Sequence, residues 1–199
     1  MKTFIIRARK GTTQPDKIHS LVGNKEHFEV VLHCMMNAFF VASGFREDVE
    51  VYVVLDSSKN FPKTIKLSSA TGLSLPGFHE AAMMSVIEHA LMYADKVSQG
   101  TVLPIAPGIE ILGYGFEKLV QSLMEIRPVF NLDPKGAAIQ QLDVPSDPVF
   151  ILSDHLVMPK KIMLSLKRKG LLSLSLGKRM LFASQCITLI HHYLDGQRV

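Results

Sequence analysis

The sequence contains no tryptophan and only two cysteines, Cys34 and Cys186, which lie far apart in the chain. Two distant cysteines form neither a disulfide framework nor the closely spaced pairs that bind metal ions. The apolar part of the N-terminus is too short for a signal peptide. We therefore expect a cytoplasmic protein in which both thiols are reduced.

Long apolar runs are absent as well. The longest, such as residues 51–55, cover only a few positions, whereas a membrane-spanning helix needs about 20 apolar residues. This excludes an integral membrane protein.

The common catalytic and metal-binding motifs are also missing. There is no His-Glu-x-x-His, no Cys-x-x-Cys, no Gly-x-Ser-x-Gly and no phosphate-binding Gly-Lys-Ser/Thr. His191 and His192 are adjacent, and neighbours on a helix point about 100° apart, so they do not chelate one metal ion readily. We expect one to pack and the other to be solvated, and we predict no metal site. Cys186 has neutral neighbours and is predicted to be an ordinary buried thiol.

What the sequence does contain is typical of one globular domain over residues 1–199. Hydrophobic residues make up 47% and charged residues 20% of the chain, with a net charge of +4. No acidic residue occurs from His155 to Leu194, and a second basic group lies near the N-terminus. The basic residues of these two groups are Lys160, Lys161, Lys167, Arg168, Lys169, Lys178 and Arg179, and Lys2, Arg7, Arg9, Lys10 and Lys17. Such clusters suit a polyanion such as RNA, although a solvated face is an equally good interpretation.

The hydrophobic pattern predicts strands that alternate with helices. The predicted strands are residues 3–9, 49–55, 63–67, 128–132, 148–152 and 170–176, and the predicted helices are residues 28–41, 78–97, 116–125 and 180–194. Residues 56–60 are predicted to form a turn, after which residues 63–67 form the second strand of a hairpin. Residues 104–115 are predicted to be a Pro/Gly-rich connection and residues 133–147 a loop or flap. The alternation indicates an α/β fold with a mostly parallel sheet and helices on both faces.

The short stretch Arg46-Glu47-Asp48 joins a predicted helix to a predicted strand. It fits a solvated turn. It also fits a site in which an arginine holds a phosphate or a base beside a carboxylate that accepts a proton.

Three separated blocks near the C-terminus are more specific. They are FILSDH at residues 150–155, LSLSL at residues 172–176 and SQCITLIHHYLD at residues 184–195. In order and spacing they resemble the archaeal tRNA pseudouridine-54 N(1)-methyltransferase family of the SPOUT superfamily, which uses S-adenosylmethionine (SAM). NAFF at residues 37–40 and FREDV at residues 45–49 are similar to that family's N-terminal helix-to-strand junction. The resemblance therefore extends over essentially the whole chain, and we interpret the chain as a bacterial relative.

The resemblance implies a single SPOUT-type α/β domain with a C-terminal trefoil knot, a homodimer, an RNA substrate and SAM as the cofactor. It implies that backbone groups of three loops hold the cofactor, while apolar side chains form the walls of the pocket and Cys186 lines it. The implied cofactor-binding residues are Leu132, Leu152, Ser153, Asp154, Leu174, Leu176, Cys186 and Ile187.

The implied reaction is methylation of ring N(1) of pseudouridine, in tRNA or another RNA. Arg46 would place the target base, and Asp48 would accept or orient the proton. Two departures from the family pattern stand out: Ser153 replaces a usual glycine, and Phe78-His79-Glu80 replaces a stretch that ends in arginine. The alternative is therefore a non-catalytic RNA-binding module that retains the knotted fold.

Overall fold

The computed structural model describes residues 1–42, 44–56, 61–141, 143 and 145–196. Its strands are β1 (Lys2–Ala8), β2 (Phe40–Val41), β3 (Gly44–Phe45), β4 (Val49–Leu55), β5 (Lys63–Ser68), β6 (Val102–Ala106), β7 (Ile109–Leu112), β8 (Val129–Ala138), β9 (Val149–Ser153) and β10 (Leu172–Ser175). Its α-helices are α1 (Pro15–Ile18), α2 (Glu29–Phe39), α3 (Glu80–Leu91), α4 (Phe116–Met124), α5 (Lys160–Arg168) and α6 (Ala183–Gly196). In this part of the chain, no helix combines the length and the apolar character needed to cross a membrane.

Within the described residues, eight strands form one sheet in the order β10-β8-β9-β1-β4-β5-β7-β6. The pairs from β10 to β4 are parallel, and the pairs from β4 to β6 are antiparallel. The predicted mostly parallel α/β sheet is thus confirmed, and so is the predicted β4–β5 hairpin; the sequence pattern did not indicate that β6 and β7 extend this antiparallel flank. Strands β2 and β3 form a separate small hairpin.

The two faces of the sheet carry two hydrophobic layers. The larger layer contains apolar residues of α2, α3 and α6, and the smaller one contains those of α4 and α5. This confirms helices on both faces. All seven residues of β1 and of β4 are buried, because both strands lie inside the sheet and are covered on both sides. Most of these residues are apolar, and the buried cations Lys2 and Arg7 are paired with carboxylates.

Three stretches differ from the prediction. Residues 104–115 begin with the β6–β7 hairpin, which the prolines and glycines concealed; Pro104 is tolerated because β6 is an edge strand. The predicted flap over residues 133–147 begins as strand, since β8 continues to Ala138. Helix α5 was not predicted, because its many cations hide a narrow apolar face. Of the turn predicted at residues 56–60, residues 57–60 lie outside the described residues.

Strands β8 and β10 approach each other unusually closely. Asn131 is opposite Ser173, but the next pair joins Ala137 to Leu174, so several residues of β8 are passed over. A Cβ atom on Gly136 would lie 2.7 Å from the backbone nitrogen of Leu174. Only a glycine lets the two backbones come this near.

We expect Gly136→Ala to lower the free energy of unfolding by about 1–3 kcal/mol, since the added methyl group must push β8 and β10 apart. Chemical denaturation followed by circular dichroism measures this change. Gly44→Ala is the matched control, because a Cβ atom there meets nothing within 4 Å. Equal stability of both variants would contradict the close approach.

Candidate functional site

The three chain segments predicted to hold a cofactor meet at one edge of the sheet. Strand β8 lies between β9 and β10, and Asn131 is opposite both Ile151 and Ser173. Leu132, Leu152 and Leu174 each follow these residues on their own strands. All three strands are parallel, so their carboxyl ends face the same edge, which is where α/β folds bind ligands.

The predicted cofactor residues differ in how much of their side chains is accessible. The side chains of Leu152, Leu174 and Ile187 are buried in the larger hydrophobic layer, between the sheet and α6. Only their backbone groups are therefore available to a ligand. Leu132, Leu176 and Cys186 are partly buried at the margin of this layer. Burial raises the pKa of the Cys186 thiol, so the thiol is neutral and lines the edge as an apolar group.

Asp154 fixes the turn after β9. Its backbone N–H donates to the carbonyl of Arg7 at 3.0 Å. Its carboxylate accepts from the backbone N–H groups of Arg9, at 2.9 Å, and of Leu156, at 2.8 Å. The side chain therefore holds the backbone of this loop in place, next to Ser153 at the end of β9.

A pocket of about 460 Å³ adjoins these loops. Its lining residues are Ile139, Gln140, Leu176, Leu189, His192, Tyr193 and Gly196. Of the predicted cofactor residues, it shares Leu176. Sequence analysis missed the other six, although Leu189, Tyr193 and Gly196 continue a helical stripe that begins at Cys186.

Arg46 and Asp48 lie at the opposite edge of the sheet. The carbonyl of Asp48 accepts from the backbone N–H of Lys2 at 2.8 Å, at the start of β1. Ser153, in contrast, is paired with Arg7 near the end of β1. Along β1, the position of Lys2, next to Asp48, is five residues from that of Arg7, next to Ser153, which is a distance of about 15 Å. Within one chain, the structure does not bring the predicted catalytic residues to the predicted cofactor residues.

Arg46 and Asp48 belong to a cluster of charges that ties the end of α6 to the sheet. The Arg46 guanidinium donates to both carboxylate oxygens of Asp195, at 3.2 and 2.8 Å. The buried Lys2 ammonium donates to Asp195 at 2.7 Å and lies 3.7 Å from the Asp48 carboxylate. Burial would raise the pKa of Asp195, but the hydrogen bonds from Arg46 and Lys2 hold it well below its usual range.

His191 packs beside this cluster, whereas His192 is exposed, as expected for the histidine pair. The His191 ring stacks edge-on against Phe4, and Nε2 lies 3.1 Å from the carbonyl of Ala38. Its Nδ1 atom is buried and has no hydrogen-bond partner among the described residues. Burial, together with the charges of Arg46 and Lys2, lowers the pKa of His191 to about 4, so the ring is neutral.

The two basic groups of the sequence differ in how far their side chains are buried and paired. In the N-terminal group, Lys2 and Arg7 are buried and paired with Asp195 and Asp56, so they are not available to phosphates. The cations of α5 and of the stretch before α6 are exposed, although Lys167 pairs with Asp133 at 3.0 Å. Arg9, Lys10 and Lys17 of the N-terminal group are exposed, so a polyanion can meet them as well as the C-terminal group.

Comparison with known proteins gives consistent results. The sequence pattern of a family described as "Putative SAM-dependent RNA methyltransferase" matches residues 1–199. A "Putative pseudouridine methyltransferase" of Photobacterium profundum is 42% identical over 195 residues, with 98% of each chain covered. One of Vibrio vulnificus is 40% identical over 197 residues, covering 99% of this chain and 100% of the relative.

Among solved structures, Archaeoglobus fulgidus Nep1 bound to S-adenosylhomocysteine is similar to this chain. The TM-score is 0.63 at 14% sequence identity, with 99% of this chain and 97% of Nep1 covered. At this identity the likeness establishes a shared fold.

The buried histidine predicts a specific pH dependence of stability. Between its ordinary value of 6.5 and about 4, the unfolded chain binds a proton that folded His191 does not bind. The free energy of unfolding should therefore fall as the pH decreases through this window, by up to about 1.4 kcal/mol per pH unit from this group. In His191→Gln this contribution should disappear, and in the exposed control His192→Gln it should remain. Denaturant unfolding from pH 7 to pH 4 measures both slopes, and identical slopes in the two variants would contradict the assignment.

Proposed function

Because this chain belongs to the family described as "Putative SAM-dependent RNA methyltransferase", we propose that it methylates ring N(1) of pseudouridine in tRNA or another RNA. The full-length family match carries the proposal, since it includes every segment at the carboxyl ends of β8, β9 and β10. We call this edge of the sheet the cofactor edge. The two relatives described above are named for pseudouridine, which favours this base over others. Because its substrate is RNA, we place the protein in the cytoplasm.

The loops after β8, β9 and β10 fit SAM. They offer backbone groups at the carboxyl ends of adjacent strands, apolar walls at Leu132 and Leu176, and a neighbouring pocket of suitable size. We assign cofactor binding to the backbone of residues 132, 152–154, 174–176 and 186–187. When bound, SAM supplies a methyl group already activated by its sulfonium, so this chain's task is to align the base and remove its proton.

We also propose the trefoil knot. The chain from β9 to β10 passes β8 and carries α5 on one face, whereas α6 then packs on the other face. There Ile139, from the connection between β8 and β9, packs in the same layer as Ile187 and Ile190 of α6. Gly136 permits the close approach of the paired strands β8 and β10. These features support a chain that threads through its own loop.

The distance of Arg46 and Asp48 from the cofactor edge favours a homodimer. A base in contact with the cofactor's methyl group is out of reach of residues about 15 Å away along a strand. We therefore propose that Arg46 and Asp48 of one protomer serve the cofactor loops of its partner. Arg46 places the base, and the partly exposed Asp48 carboxylate accepts or orients the N(1) proton.

The exposed cations near the C-terminus would hold the phosphates of the RNA, and the target base must leave its stack to react. In the alternative function, a non-catalytic module, these cations would bind RNA without methyl transfer. The two are separated by measuring cofactor binding and turnover on the same protein.

The first measurement is calorimetric titration of the purified protein with SAM, without RNA. We expect micromolar binding, and at least tenfold weaker binding by Leu176→Arg, because a long charged side chain would enter the pocket that Leu176 lines. Leu172→Arg is the matched control, since Leu172 lies on β10, the strand directly before Leu176, and is exposed. The absence of binding by the folded, cofactor-free wild-type protein would favour the non-catalytic module.

The second experiment tests Asp48 and the dimer together. Asp48→Asn should abolish transfer of labelled methyl groups to pseudouridine-containing tRNA while SAM affinity stays the same, and an unmodified transcript should not be methylated at all. Mixing Asp48→Asn with Leu176→Arg should restore about a quarter of wild-type activity, because half of the dimers are mixed and each has one intact site. If mixed dimers form but stay inactive, Asp48 does not act across the dimer.

A further inference from the structure

The segment that joins β10 to α6, residues 177–182, displays two large apolar side chains to solvent. Met180 is 91% exposed and Phe182 is 70% exposed. An isolated exposed apolar residue needs no explanation, but two in a short segment beside a candidate site indicate a binding surface.

This segment is fixed at both ends. At its start, the backbone N–H of Gly177 donates to the Ser175 hydroxyl oxygen at 3.1 Å. At its end, the backbone N–H of Phe182 donates to the side-chain oxygen of Gln185 at 3.0 Å, and its carbonyl accepts from the N–H of Cys186 at 3.1 Å. The Phe182 ring is therefore held out into solvent by a well-anchored backbone.

The charges of the segment favour a polyanion. Lys178 and Arg179 stand directly before Met180 and are exposed. Neither cation forms an ion pair with another described residue, and no acidic residue occurs in the sequence from His155 to Leu194. Cations next to an exposed aromatic ring are typical of surfaces on which single-stranded nucleic acid bases stack.

The position of the segment restricts which base this is. Leu176 precedes it and Cys186 follows it, and both belong to the proposed cofactor edge. A methyl acceptor must touch the cofactor, so it enters beside these residues. We infer that the Phe182 ring stacks on the unpaired target nucleobase, while Lys178 and Arg179 hold the adjoining phosphates. This inference rests on the proposed function and adds a positioning residue to it.

The absence of tryptophan from the sequence provides a direct test. Phe182→Trp introduces a single tryptophan whose emission should be quenched when single-stranded decauridylate is added, because stacking brings base and indole into contact. An abasic ribose-phosphate chain of equal length should not quench it. Met92→Trp is the matched control, since Met92 is 67% exposed and lies at the end of α3; its emission should not respond to either probe.

Two further variants separate stacking from charge. Phe182→Leu should weaken decauridylate binding about tenfold and raise KM for tRNA, with SAM affinity unchanged, and Phe182→Tyr should restore both. Replacing Lys178 and Arg179 with glutamine should reduce the slope of log Kd against log salt by about 1.4, since each lost phosphate contact removes about 0.7.

The outcomes distinguish this inference from the proposed function. Quenching by decauridylate supports the stacking role even if no methyl transfer occurs. Unquenched Phe182→Trp in a protein that binds SAM and methylates tRNA overturns it and leaves the enzyme assignment intact. Emission that depends on protein concentration but not on RNA also overturns it, because the ring would then contact a second copy of the chain.

Discussion

The site depends on the position of β8 between β9 and β10. This arrangement brings three segments that are distant in the sequence to one edge of the sheet, and all three strands point the same way. It requires the backbones of β8 and β10 to come closer than side chains allow, and Gly136 makes this possible. The shape of the proposed cofactor edge therefore depends on Gly136, a residue without a side chain.

Helix α6 links this edge to the opposite one. It begins at Ala183, with Cys186 in its first turn at the proposed cofactor edge. Near its other end, Lys2 and Arg46 hold Asp195 by short ion pairs. The buried Lys2 needs this carboxylate, because an uncompensated charge in the interior is strongly destabilising. The same contacts that fix the helix also occupy the Arg46 guanidinium, so the proposed contact of Arg46 with a base requires it to exchange or share Asp195.

Prediction from the sequence succeeded where burial dictates the pattern and failed where it does not. Strand β4 was predicted with its observed bounds, because a strand buried on both faces is rich in β-branched and aromatic residues, which occupy all its positions except Glu50 and Leu55. The β6–β7 hairpin was missed because Pro104 and Gly108 resemble loop residues, yet an edge strand accepts proline. Helix α5 was missed because only a narrow apolar face interrupts its cations.

The sequence by itself determined most of the elements, the basic C-terminal stretch and the blocks that resemble a methyltransferase family, since these depend on local patterns. Tertiary structure alone decided that Leu132, Leu152 and Leu174 lie together while Arg46 and Asp48 lie at the far edge. The reason is that position along a strand and contacts between distant residues, such as Lys2 and Asp195 at a separation of 193 residues, are fixed by packing of the whole sheet. No local pattern records which edge a residue will occupy.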